Sequence, residues 1–160
     1  MDIVKPSAKL IDYTKNAEQN IALSARLTHS KSGLSDIGKE MSKEKQQKLV
    51  KKMIAMGHTS TLEHSWFYFD VICSRVASHQ LVRHRVGTAF SQRSERYVEN
   101  EDFDFIIPPE IAENAKAFSE YTSWMEKAKE KYMHLREIGI KKEDARFVLP
   151  RIKTELTVSF

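Results

Sequence analysis

"SWFYFDVICSRVASHQLVRHRVG", residues 65–87, contains a change of period that sets the architecture. Its first half is aromatic and β-branched, which predicts a strand. One face would carry Trp66, Tyr68, Asp70 and Ile72, the other Phe67, Phe69, Val71 and Cys73. Both faces are largely apolar, so the strand is expected to be central. Ser74 then offers a side-chain oxygen for a helix N-cap. A short helix is predicted from there through Arg83-His84-Arg85, with Val76, Ala77 and Leu81 anchoring it and Gln80 and His84 one turn apart on one face. Gly87 is read as its stop and as the start of a loop.

Similar patterns extend outward. "IVKPSAKLIDY" (3–13) reads as an edge strand, because Pro6 cannot donate to a central ladder. "TKNAEQNIALSARLTH" (14–29) reads as a helix capped by Thr14, with Ala17, Ile21, Ala25 and Thr28 at helical spacing. "SKSGLSDIGK" (30–39) reads as a polar loop. A second helix is predicted from Ser42, with Leu49, Val50, Met53 and Ile54 on one face and Gly57 at its end. "NEDFDFIIPPE" (100–110) reads as a loop with turn prolines. From Pro109 to about Ile138, Ile111, Ala115, Phe118, Tyr121, Met125, Ala128, Tyr132 and Leu135 mark one long amphipathic helix ended by Gly139. "KKEDARFVL" (141–149) is a shorter helix stopped by Pro150. "IKTELTVSF" (152–160) alternates, with Ile152, Thr154, Leu156, Val158 and Phe160 on one face. That face needs a covering layer, which the residues after it do not supply. The fold class is therefore α/β in the α+β sense, with strands and helices in one domain over 1–160.

The chain has 160 residues, 41% hydrophobic and 30% charged, which suits a globular domain with a real core. Its net charge of +4 permits a polyanionic partner without demanding one. Cys73 is the only cysteine, so no internal disulfide can form. The opening "MDIVKPSAKLIDY" lacks an apolar run of signal-peptide length, and no stretch is long enough to span a membrane. The expected location is a reducing cytoplasm.

Charge is unevenly distributed. Of nine arginines, Arg83, Arg85, Arg93 and Arg96 fall within fourteen residues, in "RHRVGTAFSQRSERYV" (83–98). A guanidinium presents a planar fork of donors that matches phosphate and carboxylate oxygens and keeps its charge. Mixed with Ser91, Gln92 and Ser94, the cluster suits a small phosphorylated ligand. A solvated loop pairing with Glu95, Glu99, Glu101 and Asp102 is the competing reading. A nucleic-acid surface fits less well, because acidic residues come directly after the arginines. In "GHTSTLEHSWF" (57–67), His58, Glu63 and His64 lack the His-Glu-x-x-His spacing, and a single cysteine excludes the usual thiolate zinc sites, so no metal is expected.

Taken together, these segments resemble the flavin-dependent (alternative) thymidylate synthases. The family signature is Arg-His-Arg, a short spacer, then Ser-x-Arg-Tyr, which stands here as "RHRVGTAFSQRSERY". "GHTSTLEHSWFYF" is similar to the family's His-x-x-x-x-Glu-His entry to a strand, and "EDARFVLP" to its Ala-Arg-x-x-Leu-Pro helix. The resemblance implies a mostly antiparallel central sheet flanked by helices, assembled as a homotetramer with active sites where subunits meet. It implies methylation of dUMP to dTMP, with FAD as cofactor, methylenetetrahydrofolate as carbon donor and NADPH as reductant. It implies no nucleic-acid or membrane partner. Residue by residue, it implies flavin contacts from Ser60, Glu63, Arg83, His84, Arg85 and Gln92. It implies dUMP contacts from Gln80, Arg83, Gln92, Arg93, Ser94, Glu95, Arg96 and Arg146. No residue is singled out as a catalytic acid, base or nucleophile. Ser94 is read as a phosphate donor, and the alternative function is a catalytically inactive nucleotide- and flavin-binding remnant of the same fold.

Two departures accompany the resemblance. The family spacer has seven residues and this one has eight, 86–93, which Gly87 would absorb as a bulge. Chains of the family also continue past the position of Phe160, with Asn residues for the flavin and an Arg that activates the uracil ring. The expectation is a domain C-terminally incomplete relative to the family, and inactive by itself.

Overall fold

The computed structural model describes residues 2–94, 104–150 and 152–160. In chain order these form strand β1 (Ser7–Tyr13), helices α1 (Ala17–Leu27), α2 (Leu34–Glu40) and α3 (Lys43–Ala55), and a 3-10 helix (Thr59–His64). Strand β2 (Phe67–Ser74), helix α4 (Arg75–Leu81) and strand β3 (Ala89–Gln92) come next. Helices α5 (Pro109–Glu113), α6 (Ala115–Glu137) and α7 (Lys142–Ala145), a 3-10 turn (Arg146–Val148) and strand β4 (Lys153–Ser159) complete the order. The four strands make one sheet in the order β1-β2-β4-β3. Phe67 and Phe160 exchange two backbone hydrogen bonds, and Arg75 N–H donates to the Ile152 carbonyl, so β2 and β4 are antiparallel. The α/β class, the edge position of β1 and the central position of β2 agree with the sequence. Among the described residues no helix is long and apolar enough to cross a membrane.

The chain divides into two compact units, Met1–Lys9 with Phe69–Val158 and Leu10–Tyr68 with Ser159–Phe160. In the first, the alternation of β4 becomes burial. Leu156 and Val158 are 1% and 0% exposed and form a cluster with Cys73. Val71, Leu81 and Phe90 pack against that cluster. On the β4 face expected to lack a covering layer, Leu156 and Val158 are buried with Leu81 of α4 packed against them, while Phe160 is 42% exposed. A second cluster joins Phe105, Met125 and Ile152, with Ile107, Tyr121 and Leu149 around it.

The single helix expected over 109–138 is two helices. Asn114 leaves helical geometry at φ −110°, ψ 108°, and its side-chain oxygen accepts from Lys116 N–H and Ala117 N–H, each at 3.1 Å. An Asn oxygen satisfies donors that an unbroken helix would have bonded to its own carbonyls, so the apolar period continued while the backbone did not. Within α6, Met125, Ala128 and Tyr132 are the buried stripe.

Asp104 ties three segments of this unit together. Its carboxylate accepts from Lys153 Nζ at 2.9 Å and from Asp2 N–H at 3.2 Å. The Lys153 hydrogen bond, opposed by partial burial, holds the carboxyl below the usual carboxylate range. A carboxyl depressed in the folded state stabilises it above the unfolded-state pKa, and that contribution disappears as pH falls through the lowered folded value. Asp104→Asn is therefore expected to lower stability at neutral pH. The gap to the native chain should close as acid takes both below the carboxylate range, as measured by urea unfolding at a series of pH values.

In the second unit, α1 packs on α3, on α2 and on the 3-10 helix. Ile21, Ala22, Ala25 and Ile37 are buried. Thr14 does not cap α1. Its N–H donates to the Trp66 carbonyl and its Oγ1 accepts from Trp66 N–H at 2.9 Å, so it extends strand pairing instead. Asn16, left-handed at φ 56°, turns the chain into the helix. Helix α2 (Leu34–Glu40) takes up most of the stretch 30–39 read as loop, and packs on α1 with Ile37 buried. The helix expected from Ser42 is α3, and Ser42 caps it by accepting from Lys45 N–H. On α3, Ile54 is exposed and Gln46 is buried, its amide donating to the Met41 carbonyl. Gly57 ends the segment with a positive φ of 72°, a conformation that favours glycine.

Candidate functional site

Ser74 ends β2 and begins α4 by accepting from Ala77 N–H at 3.1 Å. The helix is shorter than the sequence predicts. Val82 N–H still reaches the Ser78 carbonyl, but Arg83 N–H donates to Gln80 and His84 N–H to Leu81, the tighter three-residue closure. Arg83, His84 and Arg85 therefore lie beyond the helix, and all three are exposed. The anchoring residues also differ. Val76 is 51% exposed and Ala77 is exposed, while Ser78 is 0% exposed and Leu81 packs inward. The Thr88 hydroxyl donates to the His84 carbonyl, and Gly87 turns the chain at φ 68°.

Beyond Gly87 the chain forms a strand in place of the predicted loop. β3 runs alongside β4, and Arg93 N–H donates to the Glu155 carbonyl at 2.9 Å. Side chains alternate across this strand. Phe90 turns to the cluster of Leu156 and Val158. Gln92 shares that face, and its Nε2 donates to Ser78 Oγ at 3.0 Å and to Thr154 Oγ1 at 2.9 Å. On the other face, the Arg93 guanidinium pairs with the Glu155 carboxylate. A cleft of about 310 Å³ opens here, lined by Ser91, Gln92, Arg93, Glu155, Leu156 and Thr157.

The described candidate residues of this unit thus sit at three element ends. Gln80 is on the last turn of α4, with Arg83, His84 and Arg85 just past it. Gln92, Arg93 and Ser94 are at and after the end of β3. Arg146 begins the turn after α7. Its Nε donates to the Glu143 carbonyl at 3.0 Å, and its guanidinium lies 5.9 Å from the centroid of the Phe147 ring. Glu95 and Arg96 lie outside the described residues.

Ser60 and Glu63 belong to the other unit, on the 3-10 helix, and both are exposed. Ser60 lines a cleft of about 480 Å³. Its wall includes the apolar Leu49 and Met53 and the basic or titratable Arg26, His29, Lys52 and His58. Apolar surface beside cationic donors suits a ligand that is both aromatic and anionic. Sequence reasoning missed Arg26, His29 and Lys52 because no spacing links them. Only the packing of α1 on α3 puts them on one cavity. It also missed Ser78 and Thr154 as partners of Gln92, for the same reason. Among the described residues, no group of three or more His, Cys, Asp or Glu is placed to hold a metal ion.

Comparison with known proteins adds a family to this geometry. Residues 9–160 match the family model described as thymidylate synthase complementing protein. The chain is 36% identical to the flavin-dependent thymidylate synthase of Clostridium tetani, across 89% of this chain and 64% of that relative. It is 36% identical to the flavin-dependent thymidylate synthase of Geobacter sulfurreducens, across 88% of this chain and 62% of the relative. It therefore spans less than two thirds of the length of these relatives. Among solved structures, it resembles the UMP/dUMP methylase PolB of Streptomyces cacaoi bound with 5-Br dUMP, with a TM-score of 0.85. That similarity covers 99% of this chain and 74% of PolB at 20% identity, so it speaks to fold alone.

Proposed function

The chain belongs to the thymidylate synthase complementing protein family, and on that premise we propose that it serves the flavin-dependent methylation of dUMP to dTMP. The observation that carries the proposal is the exposed Arg83-His84-Arg85 turn after α4, with Ser94 coming after β3 in the order of the family motif. The donor set fits the ligands. Arg83, His84 and Arg85 would hold the diphosphate-bearing FAD, and the resemblance assigns flavin contacts also to Ser60 and to Glu63 near it in sequence. Gln80, Arg83, Ser94, Glu95, Arg96 and Arg146 would hold dUMP. Bound flavin supplies the reducing equivalents, drawn from NADPH, while methylenetetrahydrofolate supplies the carbon. The protein's own part is positioning and electrostatics. Fixed guanidiniums hold phosphate oxygens and offset negative charge developing on the nucleotide, without reorganising as it develops. No side chain of this set needs to act as a nucleophile.

The same proposal includes a homotetramer in the cytoplasm with sites shared between subunits. Apolar side chains left exposed, namely Leu10, Ile11 and Tyr13 on β1 and Trp124 on α6, support association between subunits, and the tetramer, its shared sites and the location follow from the family resemblance. The test is to titrate the purified protein with FAD and with dUMP, then to assay tritium release from labelled dUMP with methylenetetrahydrofolate and NADPH. Saturable binding of both ligands supports the site, and turnover supports the reaction. Binding without turnover favours the inactive remnant. Failure to bind either ligand overturns the proposal.

A further inference from the structure

We infer that Gln92 is a positioning residue, one that braces α4 against β3 and β4 and thereby sets the Arg83-His84-Arg85 turn for the ligand. The inference rests on the nucleotide-binding role proposed above. It changes what Gln92 does in that role, since the family motif alone would make it a ligand contact.

A glutamine amide nitrogen has two N–H groups, and here one goes to Ser78 Oγ and the other to Thr154 Oγ1. Ser78 is 0% exposed and Thr154 is 4% exposed, so water does not replace these donors readily. The Ser78 hydroxyl already gives its own proton to the Arg75 carbonyl at 3.1 Å, which leaves its oxygen as an acceptor. Turning the Gln92 amide nitrogen toward a ligand would leave two buried hydroxyl oxygens without their donor. The amide carbonyl oxygen is what remains for a ligand.

The brace also sits where α4 needs one. The helix has seven residues and several exposed side chains. Its start is held by the Ser74 cap and by Arg75 N–H on the Ile152 carbonyl. Its end is held by Leu81 in the apolar cluster. Gln92 holds its middle, through Ser78, whose carbonyl also accepts from Val82 N–H in the last turn. Gln80 and Arg83 emerge directly from that turn. A ligand cation fork depends on geometry at a scale of tenths of an ångström, so a loosened α4 would weaken binding without touching the ligand.

The test is a double-mutant cycle on dUMP affinity with Gln92→Met and Ser78→Ala, at a temperature where circular dichroism shows each variant fully folded. A merely structural role would lower the melting temperature but leave the affinity of folded protein unchanged. The brace predicts roughly a tenfold loss in each single variant and little further loss in the double variant. In ligand-free protein, it also predicts faster hydrogen exchange at the Val82 and Arg83 amides of Gln92→Met. Additive losses in the cycle, unchanged affinity, or unchanged exchange would each overturn it. Should Gln92→Met fail to fold, Thr154→Val keeps the shape and removes one of the two acceptors, and the same readings apply. Should the native chain bind no dUMP, the functional proposal fails, and the exchange measurement still decides the brace.

Discussion

Arg96→Ala is expected to weaken dUMP binding by well over tenfold while the chain folds normally. The expectation comes from the Ser-x-Arg-Tyr match at 94–97, which assigns Arg96 to the nucleotide phosphate. Removing one partner of a buried, hydrogen-bonded charge pair costs about 2–5 kcal/mol, or roughly thirtyfold to several thousandfold in affinity. Arg93→Ala provides the contrast. Its guanidinium already pairs with Glu155, and its backbone belongs to the β3–β4 ladder. The net gain from that guanidinium to a phosphate would be reduced by the loss of its carboxylate partner. Titration calorimetry on both variants should therefore separate them clearly. Equal affinities for the two would count against the assignment, and an unchanged Arg96→Ala affinity would remove Arg96 from the phosphate site.

Leu156→Ala should produce the largest loss of stability in the sheet, about 2–5 kcal/mol. Leu156 is 1% exposed and lies near the middle of β4, in the cluster with Cys73 and Val158. Truncation removes buried methyl groups and leaves a cavity among neighbours that belong to paired strands, which limits collapse. Val86→Ala is the control. Val86 is 91% exposed, and its loss should fall within about 0.5 kcal/mol of neutral. Urea unfolding of the two variants reads the difference. A Leu156→Ala midpoint close to the native one would mean that β4 is less committed to the core than its burial indicates.

The elements best legible in the sequence are those whose signal is local. β4 alternates because one face is buried, and strict alternation is visible in any such strand. β2 reads as a strand because its run is aromatic and β-branched, and it pairs with a strand at each edge. Ser42 and Ser74 cap the helices they precede, and Gly57 and Gly139 end helical segments at positive φ. Each of these depends on a few consecutive residues, so no distant partner is needed to read them. The motif around Arg83 to Arg96 is legible in the same way, as an order of residue types along the chain.

Tertiary structure decided the features whose energy comes from residues far apart. β3, with Phe90 as its one large apolar residue, exists because β4 supplies a ladder and the Leu156–Val158 cluster takes that Phe. Residues 34–40 are helical because Ile37 has α1 to pack against, which outweighs a polar, glycine-containing sequence. Thr14 had two uses for its oxygen, and pairing with Trp66 won over capping. Asn114 divided an uninterrupted apolar period because its side chain satisfies two amides locally while the stripe resumes beyond it. The site divides along the same line. The sequence alone identified the arginines and hydroxyls, because residue type carries charge and donor capacity. The commitment of Arg93 to Glu155 and of Gln92 to Thr154 depended on strand pairing, because these partners, about sixty residues apart, meet only after the sheet has formed, and that of Gln92 to Ser78 depended on α4 packing on the same sheet.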